Sequence, residues 1–109
     1  MNLSKVMEKT NLLNLRNSAN QACVLLKNMA NEDRLMLLCQ LSQGEKNVTE
    51  LAESTNIPQP TLSQQLTILR EEGLVSTRKE GKYVFYNIVS HNALELMTTL
   101  SNIFGCNAK

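Results

Sequence analysis

Residues 55–73, TNIPQPTLSQQLTILREEG, open as a turn and continue as a helix whose polar side is uncharged. Pro and Asn cluster in TNIPQP, which interrupts any regular element. Gln59 precedes Pro60, so it is biased out of the helical region and suits an N-cap. Pro60 suits N1, where a missing N–H costs nothing. From there Leu62, Leu66 and Leu69 recur at helical spacing, and Gly73 ends the run. The remaining surface is Thr61, Ser63, Gln64, Gln65 and Thr67, with no charge between Gln59 and Leu69. A solvated helix face usually carries Lys and Glu. Hydroxyls and amides instead donate and accept, and repel no phosphate, which suits base edges and a nucleic-acid backbone. By itself the face reads equally well as an uncharged solvent face.

The flanks narrow the choice. Upstream, Asn47-x-x-Glu50 is a capping box with Asn at the cap, opening a short helix through Leu51 and Ala52. A short helix, a turn and a polar helix form a helix-turn-helix. Downstream, LVSTRK and YVFYNIV read as two strands joined around Glu80-Gly81, with Val84, Tyr86 and Ile88 on one face. Arg78, Lys79 and Lys82 outnumber Glu80 there, a local net of +2 on a protruding ribbon. Such charge suits phosphates, though a lone basic hairpin is usually a solvated turn. The combination favours a winged helix-turn-helix that binds double-stranded DNA.

The rest of the chain reads as helices. Ala22, Leu25, Leu26 and Met29 mark a first helix over residues 18–30, with a less regular extension through Leu12, Leu13 and Leu15. RLMLLCQLSQ forms a second, with Asn31 or Asp33 as cap and Gly44 as stop. Ser90 caps a last helix with Leu94, Met97, Leu100, Ile103 and Phe104 along one stripe. The expected fold is mainly α with a small β-hairpin, in the order α-α-α-α-β-β-α. It forms one domain over residues 1–109: arm or first-helix start at 1–17, recognition helix at 58–73, wing at 74–89 and last helix at 90–106.

At 109 residues the chain has room for one core, and with two Tyr and two Phe that core must be largely aliphatic. Net charge is +1, so any case for DNA is local. Lys5, Glu8 and Lys9 interrupt the apolar start, and no later run could span a bilayer, so a cytoplasmic protein with reduced thiols is expected. Three cysteines do not suggest a secreted disulfide scaffold. There is no Gly-rich phosphate loop, and the sole histidine, His91, reads as a surface residue near a helix cap. An enzyme is not expected, and no cofactor is implied.

Over residues 20–106 the chain resembles the ArsR family of bacterial winged-helix repressors. The residues that carry the likeness are LLKNMANEDRLMLL, NVTELAE and QPTLSQQLTILREEGLVSTRKEGKYVFYNI. The resemblance implies a homodimer joined through the last helix (90–106) and part of the first, releasing its operator when an inducer binds. It also implies that Gln59, Thr61, Ser63, Gln64 and Gln65 contact DNA, with Arg78, Lys79 and Lys82 on the wing. Pro58 and Pro60 replace hydroxyl residues common in the family, and Gln65 stands where His is common.

Metal-sensing members carry Cys-x-Cys at the start of the third helix, where this chain has Asn47 and Thr49. The last helix offers only Glu95 and His91 for the family's other metal site. The pair Cys39 and Cys106, 67 residues apart, resembles instead the BigR/SqrR/HlyU thiol-switch branch. There a second-helix cysteine and a last-helix cysteine form a disulfide or polysulfide bridge in response to reactive sulfur species or oxidants. From the residues alone Cys39 reads first as an apolar filler: no Lys or Arg lies three or four positions away, and Cys106 sits near a helix C-terminus, which disfavours a thiolate. Cys23, beside the first apolar stripe, reads as core filler. Two alternatives stay open: a thiophilic metal or metalloid held by Cys39, Cys106 and Cys23, and a winged helix used for protein interaction.

Overall fold

A computed structural model describes residues 8–105. Helix α1 (Glu8–Met29) leads into α2 (Glu32–Leu41), strand β1 (Lys46–Asn47), α3 (Val48–Thr55), α4 (Gln59–Glu71), strands β2 (Val75–Glu80) and β3 (Tyr83–Ile88), and α5 (His91–Phe104). The core is aliphatic, as expected. Leu37, Leu38, Leu51, Leu62, Leu66 and Leu69 are almost fully excluded from solvent, with Met97 and Ala93 of α5 packed against them.

The starts of α2, α3 and α5 each have a side-chain reason. Asn31 caps α2, its Oδ1 accepting from the Arg34 amide at 3.0 Å, while Glu32 and Asp33 sit in the first turn, where the helix dipole favours acids. The cap is therefore Asn31 and not Asp33, and α2 ends at Leu41, short of Gln43. The capping box of α3 is present in both directions. Glu50 N–H donates to Asn47 Oδ1, and Asn47 N–H to Glu50 Oε1, each at 2.9 Å. Ser90 caps α5 through the Ala93 amide.

Three boundaries differ from expectation. Pro58, extended at φ −60° and ψ 145°, is the N-cap of α4, so Gln59 is already helical and Pro60 occupies N2. A proline at N2 also lacks only an amide with no intrahelical acceptor. Burial of Leu62, Leu66 and Leu69 then outweighs the extended bias on Gln59. The hairpin turn is Gly81-Lys82, because Glu80 pairs with Tyr83. Gly81 has φ +63° and Lys82 does not share the positive φ, the sign pattern of a type II′ turn. Finally, the hairpin is part of a three-stranded antiparallel sheet in the order β1-β3-β2, with Lys46 opposite Tyr86 and Asn47 opposite Phe85. Two residues are too few to show an alternation in sequence.

The end of α4 is a Schellman motif. Gly73 N–H donates to the Arg70 carbonyl at 3.1 Å and Leu74 N–H to the Leu69 carbonyl at 2.9 Å, with Gly73 at φ +79°. This closure turns the chain directly from α4 into β2, fixing the wing relative to the polar helix.

Two expected apolar stripes are split between core and surface. In α1, Met29 is buried and Leu25 partly so, but Leu12, Leu13, Leu15, Val24 and Leu26 are exposed. In α5, Met97 and Leu100 face the core, whereas Leu94, Ile103 and Phe104 are exposed, Phe104 by 78%. Cys23 is also exposed and free, contrary to its expected place in the core. It precedes the C-terminal stretch of α1 that meets the core at Leu25 and Met29.

Candidate nucleic-acid interface and thiol site

Helix α4 presents its polar face as the sequence requires, once the three leucines are seated. Gln59, Ser63 and Gln64 are exposed, and Thr61 is half-buried. No side chain caps the first turn, so its backbone amides remain oriented toward whatever lies beyond the helix N-terminus. Gln65 is placed differently. It is half-buried, and its Oε1 accepts from Arg34 Nη1 at 2.7 Å. The same guanidinium donates through Nε to the Asn28 carbonyl at 2.6 Å. Asn28 Nδ2 in turn donates to Glu72 Oε1 at 3.2 Å. The end of α1, α2 and the polar helix α4 are thus tied together by Arg34 and Asn28.

On the wing the three basic residues part company. Arg78 Nε and Nη2 grip the two carboxylate oxygens of Glu45 at 3.0 and 2.7 Å, and Nη1 meets Glu80 Oε1 at 2.6 Å. Its guanidinium also lies 5.0 Å from the ring centre of Phe85, its cross-strand partner. The hydrogen bond from Arg78 holds the Glu45 carboxyl below its ordinary range, and Glu45, then Glu80, push the Arg78 pKa upward. Glu45 therefore offsets one of the wing's positive charges. Lys79 is exposed, and Lys82, also exposed, sits 5.7 Å from the ring centre of Tyr83.

Cys39 lies on α2 at 9% exposure, within the core cluster, and it is disulfide-bonded. Its carbonyl accepts from Ser42 Oγ at 2.6 Å. Cys106 lies outside the described residues. His91 is exposed at the first position of α5, and among the described residues no cluster of His, Cys, Asp and Glu is placed to hold a metal ion. No helix among them is long and apolar enough to cross a membrane.

Arg34, Asn28, Glu45 and Glu72 were not legible as site residues, because their partners are 31 to 44 positions away. Arg34 alone left a trace: it is the last charge before a ten-residue uncharged run ending at Gly44.

Residues 31–77, which hold α2, α3, α4 and the first half of the wing, match the family model described as bacterial regulatory protein, arsR family. A biofilm growth-associated repressor of Agrobacterium fabrum is 49% identical over 79% of this chain and 74% of its own. The chain belongs to the ArsR family. Among other ArsR-family relatives, the transcriptional activator HlyU of Vibrio cholerae is 42% identical, over 86% of this chain and 87% of its own. The solved structure of reduced HlyU has a TM-score of 0.80 at 41% identity, covering 84% and 96% of the two chains. A winged helix-turn-helix DNA-binding domain from Mycobacterium bovis, solved as a homodimer, has a TM-score of 0.69 at 31% identity, covering 81% and 82%. The fold is thus the winged helix-turn-helix, and this ArsR-family chain is a transcriptional regulator rather than an enzyme.

Proposed function

We propose that the chain is a cytoplasmic, homodimeric repressor whose hold on its operator weakens when Cys39 and Cys106 become bridged. Gln59, Thr61, Ser63 and Gln64 at the start of α4 meet base edges and phosphates in the major groove, and Lys79 and Lys82 meet the flanking backbone. Gln65 and Arg78 act one step back. Gln65 seats α4 on Arg34, and Arg78 braces the wing through Glu45.

The observation that carries the switch is that Cys39 is disulfide-bonded while Cys23 is free, in a chain with three cysteines. Cys106 is the partner we assign. With a persulfide donor, the Cys39 thiolate takes the outer sulfur to give Cys39–S–SH. The Cys106 thiolate then attacks Cys39 Sγ, expels HS⁻ and leaves the bridge, so two thiols are oxidised and one sulfane sulfur is reduced to sulfide. A bridge from α2 to the region beyond α5 would bear on Arg34, on the same helix, and through it on α4.

The test is an operator-binding titration of reduced, persulfide-treated and peroxide-treated protein, with mass spectrometry of each state. Cys39→Ser and Cys106→Ser should bind like the reduced protein and fail to release on treatment. Full release by either single variant would refute the bridge. Tight stoichiometric binding of a thiophilic metal without sulfur gain would favour metal sensing. Unchanged operator affinity and salt dependence after Gln64→Ala and Lys79→Ala would favour a protein-interaction module.

A further inference from the structure

We infer that Gln65 is a specificity-determining residue. Its amide oxygen is committed to Arg34, so it offers DNA a donor, Nε2, and selects guanine over adenine at one position of each half-site. The inference rests on the reading of α4 as the helix in the major groove, and it names what one residue of that helix reads.

A guanidinium carries donors alone, so the amide atom that faces it must be the oxygen. Gln65 Oε1 accepts from Arg34 Nη1 at 2.7 Å. Arg34 is itself held at both ends. Its backbone amide donates to the Asn31 cap at 3.0 Å, and its Nε donates to the Asn28 carbonyl at 2.6 Å. These contacts are made at the start of α2 and involve no cysteine. The Gln65 amide therefore cannot flip without breaking a charge-assisted hydrogen bond. Seating α4 uses the oxygen and leaves the nitrogen. Nε2 has no hydrogen-bond partner among the described residues. No side-chain nitrogen or oxygen among them is both buried and unpartnered, so Nε2 reaches solvent. Helical side chains lean toward the N-terminus, which carries Gln65 back over the turn of Thr61, the part of α4 that enters the groove. Gln59 and Gln64 differ. Both are exposed and make no side-chain hydrogen bond among the described residues, so their amides can turn to suit either kind of base edge. Gln65 is half-buried and preset.

An unrestrained Gln reads adenine with two bonds, its oxygen accepting from N6 and its nitrogen donating to N7. That contact needs both amide atoms turned to one base edge, and here the oxygen is turned to α2. A lone NH₂ group instead matches an edge rich in acceptors. Guanine presents two in the major groove, N7 and O6. Adenine sets a donor beside its N7, thymine a methyl beside its O4, and cytosine presents a donor. The preset amide also loses no rotamer freedom when it meets the base. Arg34 is thus a positioning residue that sets which base its neighbour reads.

The experiment selects duplexes from a randomised library with the reduced full-length protein and reads base preference at each position. Gln65→Ala should lose the preference at one position per half-site. There the wild-type protein should favour guanine over adenine by about tenfold, within the range of one base contact. Gln65→Glu keeps an oxygen for Arg34 and turns a second oxygen outward. The same position should then change from guanine to cytosine, whose N4 donates. Arg34→Met releases the amide, and adenine should overtake guanine there, whereas a merely structural Arg34 would lower affinity for all sequences alike. If Arg34→Met does not fold, the exchange in Gln65→Glu decides alone. Three results each overturn the inference: adenine preferred by the wild-type protein at the Gln65 position, a folded Arg34→Met that keeps guanine, or a Gln65→Ala that weakens all sequences equally, as loss of a phosphate contact would. The reading of α4 survives them as long as Gln64→Ala changes a preference. If neither Gln64→Ala nor Gln65→Ala changes any, that reading falls and the inference with it.

Discussion

Asn47 holds the position where metal-sensing relatives of the resemblance carry a thiolate, and here it has a structural task. Its side chain caps α3, its amide is held by Glu50, and it pairs with Phe85 of the wing. One residue thus starts a helix and ends a strand. Asn47→Ala should cost about 1 kcal/mol of stability, the usual loss for an N-cap, read as a lower urea midpoint with an unchanged slope. Thr49, the other vacated thiolate position, is exposed on the same turn. Cys39 is the converse case. Its local sequence fitted a core residue, and it does lie in the core cluster. What singles it out is its bond to another sulfur, a tertiary fact no window of neighbouring residues carries.

At the scale of elements, the seating of α4 depends on Arg34, which reaches two acceptors on two other elements, the Asn28 carbonyl and Gln65 Oε1. Arg34→Ala leaves both without their donor. It should destabilise the fold by roughly 1.5–3 kcal/mol, the range for hydrogen bonds to a charged group, in urea unfolding. Arg34→Lys should restore only part, since an ammonium has no planar fork to span both acceptors.

The wing has its own brace. Glu45→Gln removes a charge that holds Arg78 and should free the guanidinium for phosphate. The plot of log operator affinity against log salt should then steepen by roughly 0.9, one extra phosphate contact. The sign with pH follows from the depressed Glu45 carboxyl: its contribution is complete above the ordinary carboxylate range and is lost as pH falls through its own lower value. An NMR titration of Glu45 should place its midpoint below that of Glu45 in Arg78→Ala.

These tertiary ties mark the limit of what the sequence discloses. The leucine spacing of α4, the Asn47 box and the Ser90 cap are local rules, and they located three helices. Strand β1, the seating of Gln65 on Arg34 and the grip of Arg78 on Glu45 depend on residues about 30 or more positions away.

For the whole molecule, the radius of gyration is 17.2 Å, against about 13 Å for a compact chain of this length. Much of that excess fits α1, a 22-residue helix whose leucines are mostly exposed. Its Val24 and Leu26, with Leu94, Ile103 and Phe104 of α5, form apolar surface left outside the core. That explains why the stripes read from sequence were only half used: periodicity records that a residue will be buried, not which chain buries it. A second copy of the chain is the occupant we assign, which would place two α4 helices on half-sites one helical turn apart. Leu26→Glu with Ile103→Glu should leave the α2–α4 core intact and yield a monomer in sedimentation velocity. Operator affinity should then drop by about a hundredfold or more, because each half-site is bound without its tethered neighbour. A double variant that sediments as a dimer would place the interface elsewhere on the surface.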